Sequence, residues 1–565
     1  MSQAAFLKAI RNDPADDTAR LAYADYLDEL GDSERAEFIR LQIELARMPT
    51  FSPGRRDRED RAFRLLEANE AHWLGVDPVA EGLIEWEFSR GFVSEVAATP
   101  GYMREAGASL ASLHPLTRWR VISEPPSGTG EDSLREVGRS DWFSRLECLD
   151  LSGWSESIGE LDVFLSGSDF TRLKELSVYG LPGLEQLPDV LARSPLRGSL
   201  QGLIAGSDHG RAGRLDPSAF ARALRSTRLT ELALPGCGLT ATAIREILDS
   251  DCCRFLVSLD VRDNPLEPDA RRAFGYADYR LRELDLSGTP MGAIALAEVL
   301  RQGAVEQLRV LHLNRCGSAL ANIPALAGSR FWEQAEELWM QSGTIPPYSV
   351  GPLIASCGPT GLRVLDLSDN YLRTFGVRGL CTASWVAPLE WLGLSRNYLT
   401  DDALRAIAES GRFTRLRTLH LGFNNTHSQV GADPEDRITD RGLVALAGSP
   451  ALANLRVLTL SGVQVTAEGL DTVLNQASWT LTGLSLFDCH LTDDLLSVLA
   501  ASPRLRRLEW LDLGARFAPV PDRSLQRLAE SPYLSPLCEL NLRGREPSSR
   551  TCDIFRARLG KRYDA

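Results

Sequence analysis

The 565-residue sequence is poor in lysine, histidine and cysteine. Lysine occurs only at Lys8, Lys174 and Lys561, so nearly all of the 62 basic residues are arginines, which favour planar, two-pronged ion pairs. The ten cysteines are too sparse for a disulfide framework, and no CxxC pair has the spacing of zinc ligands. We therefore expect reduced thiols and no structural metal.

An excess of positive charge and long apolar runs are also missing. The 76 acidic residues outnumber the 62 basic ones, for a net charge of -14. Binding nucleic-acid phosphates requires a basic face, so this balance argues against nucleic acid and favours a partner with a basic surface. No run of about 18 apolar residues occurs, and the first twenty residues lack the apolar core of a secretory signal. These absences predict a cytoplasmic protein without membrane contact.

The motifs of common enzyme classes are absent from the sequence. There is no GxxxxGK[ST] phosphate loop, no GxSxG nucleophile elbow and no HExxH zinc motif. The seven histidines are scattered along the chain, and Cys148 and Cys538 remain open as candidate nucleophiles. We predict a protein that is not an enzyme and that holds no cofactor and no metal.

One pattern, L-x-x-L-x-L, recurs about fifteen times, and most copies begin 27 residues after the previous one. Residues two apart on a strand share a face, so the paired leucines should be buried together while the residues between them point outward. The copies begin at Leu146, Leu173, Leu229, Leu256, Leu281, Leu308, Ala335, Leu362, Leu389, Leu416, Leu455, Leu481, Leu508 and Leu537. A weak first copy begins at Leu116, and a degenerate copy begins at Leu200.

The pattern resembles the leucine-rich-repeat family, over residues 116–545. One unit buries too little apolar surface to offset its chain entropy, so neighbouring units must stack. Stacked strands lie about 4.8 Å apart and helices about 8–10 Å apart, which places the strands inside a curve. We predict an α/β solenoid, a horseshoe with parallel strands on the concave face and helices on the convex face, similar to the ribonuclease-inhibitor-like subtype.

Each repeat should also contain a turn residue and a helix. Eight residues after the start of a copy, the family carries Asn or Cys, which we interpret as structural because an inward amide satisfies backbone groups at the strand end. These ladder residues are Asn264, Asn370, Asn397, Asn424, Cys237, Cys316 and Cys489, whereas Trp154, Arg516 and Arg545 break the pattern. Residues 400–408 illustrate the helix, with Thr400 or Asp401 as its cap.

The first 48 residues predict three short helices. The strings at residues 12–17, 20–32 and 37–42, and the later Arg90-Gly91-Phe92-Val93, resemble a bacterial repeat-companion domain that precedes leucine-rich repeats. That resemblance implies an architecture and no activity. We predict a helical domain at 1–48, a helix-and-strand linker that caps the repeats at 49–115, fifteen or sixteen repeats at 116–545 and a C-terminal helical cap at 546–565.

Candidate binding residues follow from the repeat, because its third, fifth and seventh positions should face the concave cavity. Aromatic side chains contribute strongly to protein interfaces, and acidic rims steer basic partners. The alternative is that Trp339 and Trp391 merely pack on each other. The candidate residues form an acidic group followed by an aromatic and histidine group: Glu231, Asp260, Glu283, Asp285, His312, Glu337, Trp339, Gln341, Asp366, Trp391, His420, Trp510 and Asp512.

One repeat is longer than the others. The copies at Leu416 and Leu455 are 39 residues apart, and the polar insert at 425–436 is either a contact loop or a neutral insertion. Together, these features predict a monomeric protein-protein interaction scaffold whose concave face binds a protein with a basic surface. Two alternatives stay open: a regulator that activates a nucleotide hydrolase, as leucine-rich-repeat activators of small GTPases do, and a structural protein that self-assembles.

Overall fold

The computed structural model describes residues 2–48, 55–77, 81–123, 130–168, 170–208, 213–266, 272–274, 280–289, 293–302, 305–316, 326–355, 358, 361–425, 437–516 and 518–564. These residues form two compact units. Unit 1 contains the described residues through Pro265, and unit 2 contains those from Leu266 onward.

Unit 1 begins with three helices, as predicted, at Gln3–Asn12 (α1), Asp17–Glu29 (α2) and Ser33–Arg47 (α3). The side chains of Asp16 and Asp32 accept backbone N–H groups at the starts of α2 and α3, which sets where those helices begin. A fourth helix covers Arg55–Leu74 (α4).

A strand pair follows these helices. The two strands are antiparallel and cover Leu83–Ser89 (β1) and Phe92–Ala98 (β2). The turn between them has a left-handed backbone at Arg90 and Gly91, with φ of 51° and 89°. A Cβ on Gly91 would come within 2.5 Å of Ile39 Cγ1, so the packing of this turn against α3 also requires glycine.

A buried arginine joins the helices of unit 1 to the strand pair. Arg35 donates from Nη2 to the Gly91 carbonyl at 2.6 Å, and its guanidinium carbon lies 4.7 Å from the centre of the Trp73 ring. Burial lowers the pKa of Arg35 to about 10. The N-terminal helices are therefore fastened to the strand that begins the parallel sheet.

The remaining strands of unit 1 add in chain order, and each lies parallel to the strand before it. They are Arg118–Ile122 (β3), Cys148–Gly153 (β4), Glu175–Tyr179 (β5), Gly202–Gly206 (β6), Glu231–Ala233 (β7) and Ser258–Asp260 (β8). The helices between them are Pro100–Leu113 (α5), Gly130–Gly138 (α6), Asp162–Gly167 (α7), Leu187–Arg193 (α8), Pro217–Ala223 (α9) and Ala241–Leu248 (α10).

Unit 2 repeats the same strand-helix alternation, again with parallel neighbours in chain order. Its strands are Glu283–Asp285 (β9), Val310–His312 (β10), Glu337–Trp339 (β11), Val364–Asp366 (β12), Trp391–Gly393 (β13), Thr418–His420 (β14), Val457–Thr459 (β15), Gly483–Ser485 (β16), Trp510–Asp512 (β17), Glu539–Asn541 (β18) and Tyr563–Asp564 (β19).

The helices of unit 2 are Ala293–Val299 (α11), Arg330–Gln334 (α12), Gly351–Ala355 (α13), Arg373–Leu380 (α14), Asp401–Glu409 (α15), Asp440–Ala447 (α16), Ala467–Asp471 (α17), Asp493–Ala501 (α18), Asp522–Ala529 (α19) and Ser549–Leu559 (α20). The last of these helices, α20, lies within the region 546–565 that was predicted as a helical cap. It ends before Tyr563, which pairs as a strand with Leu540.

The motif leucines form the core of each unit. Within unit 2, the central leucines Leu311, Leu338 and Leu365 stand in register on adjacent strands, and each is at most 1% exposed. The predicted burial of the paired leucines is confirmed. The two units share one construction, the α/β solenoid of leucine-rich repeats.

The predicted Asn ladder is confirmed, and one exception takes part in it. Asn370 donates from Nδ2 to the carbonyls of Met340, Leu367 and Ser368, and its Oδ1 accepts two further backbone N–H groups. Arg545, which breaks the sequence pattern, is 1% exposed and donates from Nε to the Leu513 carbonyl at 2.6 Å. The Leu513 carbonyl occupies the same repeat position as the Met340 carbonyl that Asn370 bonds, so the longer side chain reaches one of the ladder carbonyls.

Thr400 occupies the predicted cap position at the start of α15, but its side chain makes no capping bond to the helix. The Asp401 carboxylate instead accepts the backbone N–H groups of Thr439 and Gly442 and the Thr439 hydroxyl, at 2.6–3.0 Å. Asp401 therefore caps the helix of the following repeat. The insert predicted at 425–436 lies outside the described residues apart from Asn425.

Candidate functional site

In both units, the third and fifth residues of each repeat flank the buried central leucine. Their side chains project from the sheet face that lies opposite the leucine core, which we call the open face. Glu283 and Asp285 flank Leu284, and Glu337 and Trp339 flank Leu338. The predicted candidates on strands all occupy this face, and Gln341, two residues beyond β11, is exposed.

Four predicted residues of unit 2 form a continuous row of rings, which we call the aromatic cluster. His312 stacks on Trp339 with ring centres 5.6 Å apart and planes 8° apart. Trp339 contacts Trp391 at 5.0 Å, and Trp391 contacts His420 at 4.7 Å. All four are partly exposed. The two tryptophans therefore pack on each other, as the alternative interpretation predicts, and they also remain accessible.

The two tryptophans meet across an intervening strand. Trp339 is the fifth residue of its repeat and Trp391 is the third residue of a repeat two strands later, with β12 between them. The fifth position of the repeat after β12 is Gly393, where a Cβ would come within 2.2 Å of Asp366 Oδ1. Glycine at this position therefore gives the Asp366 carboxylate its room beside the rings.

The pKa values of the two histidines in the cluster are shifted in opposite directions. Burial lowers the pKa of His420 to about 4, and its Nδ1 lies 3.0 Å from the Thr459 hydroxyl. Burial also acts to lower the pKa of His312, but the neighbouring Glu283 carboxylate and the charges of Asp285 and Glu337 outweigh it and raise that pKa. His312 Nε2 lies 3.7 Å from Glu283 Oε1. The cluster thus has an acidic end and an uncharged end.

The aspartates at the fifth position of the repeat also accept a backbone hydrogen bond, which the sequence analysis did not predict. Each accepts the backbone N–H two residues further on, as Asp285 does from Ser287 at 2.7 Å and Asp366 from Ser368 at 2.8 Å. Asp260 and Asp512 make the same contact at 3.0 and 3.1 Å. These carboxylates close the turn at the strand end, so only part of each carboxylate is available to a partner.

Asp366 lies on the open face but is only 6% exposed, so little of its carboxylate is accessible to a partner. Burial raises the pKa of its carboxyl group. Trp510 and Asp512 are on β17, and two strands separate them from β14, where the aromatic cluster ends. Trp510 covers the position of Gly483, where a Cβ would meet its Cε3 at 3.0 Å. The predicted aromatic and histidine group therefore does not form one site, because Trp510 and Asp512 lie apart from the aromatic cluster.

In unit 1, the predicted candidates are Glu231 on β7 and Asp260 on β8. Glu231 is exposed, whereas Asp260 is partly covered and lies 3.5 Å from Arg262 Nε. Sequence reasoning missed Ile204, whose side chain is 44% exposed on the same face. The sequence does indicate this exposed residue, because the degenerate copy that begins at Leu200 places an apolar residue at an outward-facing position.

The chain is similar to many solved structures, which include the following two. The chain is similar to Rad7 in the crystal structure of the yeast Rad7 and Elc1 complex, with 19% identity and a TM-score of 0.42, over 62% of this chain and 86% of that chain. It is also similar to an internalin, InlF of Listeria monocytogenes, with 18% identity and a TM-score of 0.34, over 60% and 87% of the two chains. No protein-family model and no curated protein sequence matches the chain.

The repeated strands and helices and their buried leucines make the fold a leucine-rich-repeat solenoid. Within the described residues of this solenoid, no group of three or more His, Cys, Asp or Glu side chains is placed to hold a metal ion. Across the same described part of the chain, no helix combines the length and the apolarity needed to cross a membrane.

The candidate nucleophiles lie in unreactive surroundings. Burial raises the pKa of Cys148 to about 12, so its thiol is uncharged at neutral pH, and Cys538 is fully buried. The ladder cysteine Cys316 donates to the Leu286 carbonyl at 3.3 Å, and burial raises its pKa to about 11. The open face of the repeats therefore offers contact surface and charge, with no activated sulfur nucleophile at these positions.

Proposed function

We propose that this protein is a non-enzymatic interaction scaffold whose open face binds a protein partner. The aromatic cluster of His312, Trp339, Trp391 and His420 carries the proposal. Large aromatic side chains are the residues most often responsible for binding energy at interfaces. Because these rings already hold one another in contact, ordering them on binding costs little side-chain entropy. The cluster thus combines accessible apolar area with a rigid shape.

The charge around the cluster supports a partner with a basic surface. Glu283, Asp285 and Glu337 all favour the charged form of His312, so the potential at this end of the cluster is negative. A negative potential accelerates the approach of basic proteins and disfavours acidic ones. The excess of acidic residues over the whole chain acts in the same direction.

The remaining predicted contacts belong to the same proposal. We assign Gln341, Trp510 and Asp512 of unit 2 to partner contacts and, separately, Glu231 and Asp260 on the open face of unit 1. The domain bounds at 1–48, 49–115, 116–545 and 546–565, the repeat-companion character of the N-terminal helices, the monomeric state and a bacterial cytoplasmic location complete the proposed description.

The test is affinity capture from native lysate, analysed by mass spectrometry, with the wild-type chain beside the double variant Trp339→Ala, Trp391→Ala. The account expects a partner that the wild type retains and the double variant loses. A matched control removes two aromatic side chains elsewhere, Tyr348→Ala with Phe375→Ala, since these are 75% and 69% exposed. A partner retained by the tryptophan variant and lost by the control would contradict the proposal.

A further inference from the structure

The open face of unit 1 contains a groove of about 330 Å³. The groove exists because the residues facing outward on three neighbouring strands are small: Ser177 on β5, Gly202 on β6 and Ala233 on β7. Larger side chains stand on both sides, with Arg118 on one side and Glu231 on the other. The degenerate repeat that begins at Leu200 thus leaves a gap in an otherwise filled row.

The floor of the groove is apolar. Ile204 projects from β6 into the groove with 44% of its surface exposed, and the motif leucines Leu176 and Leu203 lie beneath. When another apolar group covers an isoleucine on the outer face of a strand, apolar surface is removed from water, which favours binding. The floor therefore favours a group with a hydrocarbon portion.

The walls of the groove carry net negative charge. Five carboxylates line it, Glu95, Asp150, Glu175, Glu231 and Asp260, against the two guanidinium groups of Arg118 and Arg120.

Those two guanidinium groups already have acidic partners. Arg118 lies 3.3 Å from Glu175 and 3.6 Å from Glu95, and Arg120 pairs with Glu85. Glu231 forms no ion pair with any residue that the structure describes. Its negative charge therefore remains available to a ligand.

We propose that this groove binds a lysine or arginine side chain of the partner protein. Such a side chain has the two properties that the groove requires, a hydrocarbon stem to cover Ile204 and a positive end to approach Glu231. An acidic side chain would meet a net negative wall, and a purely aliphatic one would leave the carboxylates without compensation. The inference rests on the proposed scaffold function and adds the recognised chemical group.

The test begins with a phage-displayed library of random peptides selected on the full-length wild-type chain. The expected result is a set of peptides that share one basic residue beside apolar residues. The best peptide, made synthetically, should bind the Gly202→Leu variant about tenfold more weakly, because leucine fills the groove. It should also lose about threefold to tenfold with Glu231→Gln, which removes charge at an exposed position and leaves the fold intact.

Gly202→Leu is compatible with the strand, because a Cβ there meets first the flexible Glu175 side chain, at 3.3 Å from its Cγ. The matched control for charge is Glu105→Gln on α5, where the side chain is 75% exposed and away from the sheet. Selected peptides without a shared basic residue, or no enriched peptide at all, would overturn the inference. Unchanged affinity in both groove variants would do the same.

The two proposals fail separately. If the groove variants bind every selected peptide as the wild type does while the tryptophan double variant loses its partner, the scaffold proposal stands and the groove has another occupant. If neither the tryptophan variant nor the groove variants lose any ligand, the open face is not the binding surface.

Discussion

At the residue scale, the repeat period accounts for the ladder residues better than for the open-face aspartates. A 27-residue period determines which side chain turns inward at each strand end, so the sequence predicts the buried amide of Asn370. The bond from Ser368 to Asp366 depends on the turn that follows the strand, which a hydrophobic pattern does not encode. Arg545 shows the same limit, because only the folded chain reveals that a long side chain reaches the ladder carbonyls.

Each ladder amide should stabilise the folded chain through several hydrogen bonds. Asn370→Ala leaves three backbone carbonyls and two N–H groups without their partner, so we expect the free energy of unfolding to fall by about 2–4 kcal/mol. Urea denaturation measures this change. Asn454→Ala is the control, since Asn454 is exposed and makes one bond, to the Thr414 carbonyl. Equal losses in the two variants would show that the ladder contributes no more than a surface amide.

His420 should make the protein less stable in mild acid. Its pKa in the folded chain is about 4, against about 6.5 in an unfolded chain. Between these values the unfolded state binds more protons, so stability decreases as the pH falls through this window. We expect His420→Gln to lose about 2 kcal/mol less than the wild type between pH 7 and pH 5, by urea denaturation at both pH values. The same loss in both proteins would refute the assignment.

At the element scale, each repeat depends on its neighbour for more than apolar burial. Asp401 at the start of α15 bonds the start of α16, and Asp440 at the start of α16 bonds Thr466 before α17. Asp522 makes the equivalent contact with Ser548. Local sequence reasoning assigns an aspartate to its own helix, because caps are normally read within one helix. The inter-repeat bond appears only when the units are stacked.

This capping between repeats predicts different effects for two adjacent aspartates. Asp401→Ala should lower the free energy of unfolding by about 1 kcal/mol, as loss of a helix cap does. Asp402→Ala removes only surface ion pairs with Arg378 and Arg405 and should cost less. Thermal or urea denaturation compares the two variants. A larger loss from Asp402→Ala would contradict the role assigned to Asp401.

At the scale of the whole molecule, the sequence predicts the solenoid and the position of its open face. Fold and face both follow from the two-residue spacing of leucines, which appears in every regular copy. The composition of the binding site follows less directly. That Trp339 meets Trp391 across β12 while Trp510 stands apart depends on side-chain packing over several strands. The groove over Ile204 likewise results from small residues at outward-facing positions, which a consensus pattern does not specify.

The charge of the whole molecule should affect the rate of partner binding. With a net charge of -14 and an acidic end to the aromatic cluster, association with a basic partner should slow about tenfold or more between low and physiological salt. Dissociation should change much less. Surface plasmon resonance at several salt concentrations measures both rates. An association rate independent of salt would contradict a basic partner.

The central claim, that the aromatic cluster is the contact surface, is tested most directly by hydroxyl-radical footprinting of the captured complex. The oxidation rates of Trp339 and Trp391 are compared in the free and bound chain, with the exposed Tyr348 and Phe375 as internal references. The account predicts strong protection of both tryptophans in the complex and unchanged oxidation of the references. Protection of Tyr348 and Phe375 with unchanged oxidation of the tryptophans would place the partner elsewhere and contradict the claim.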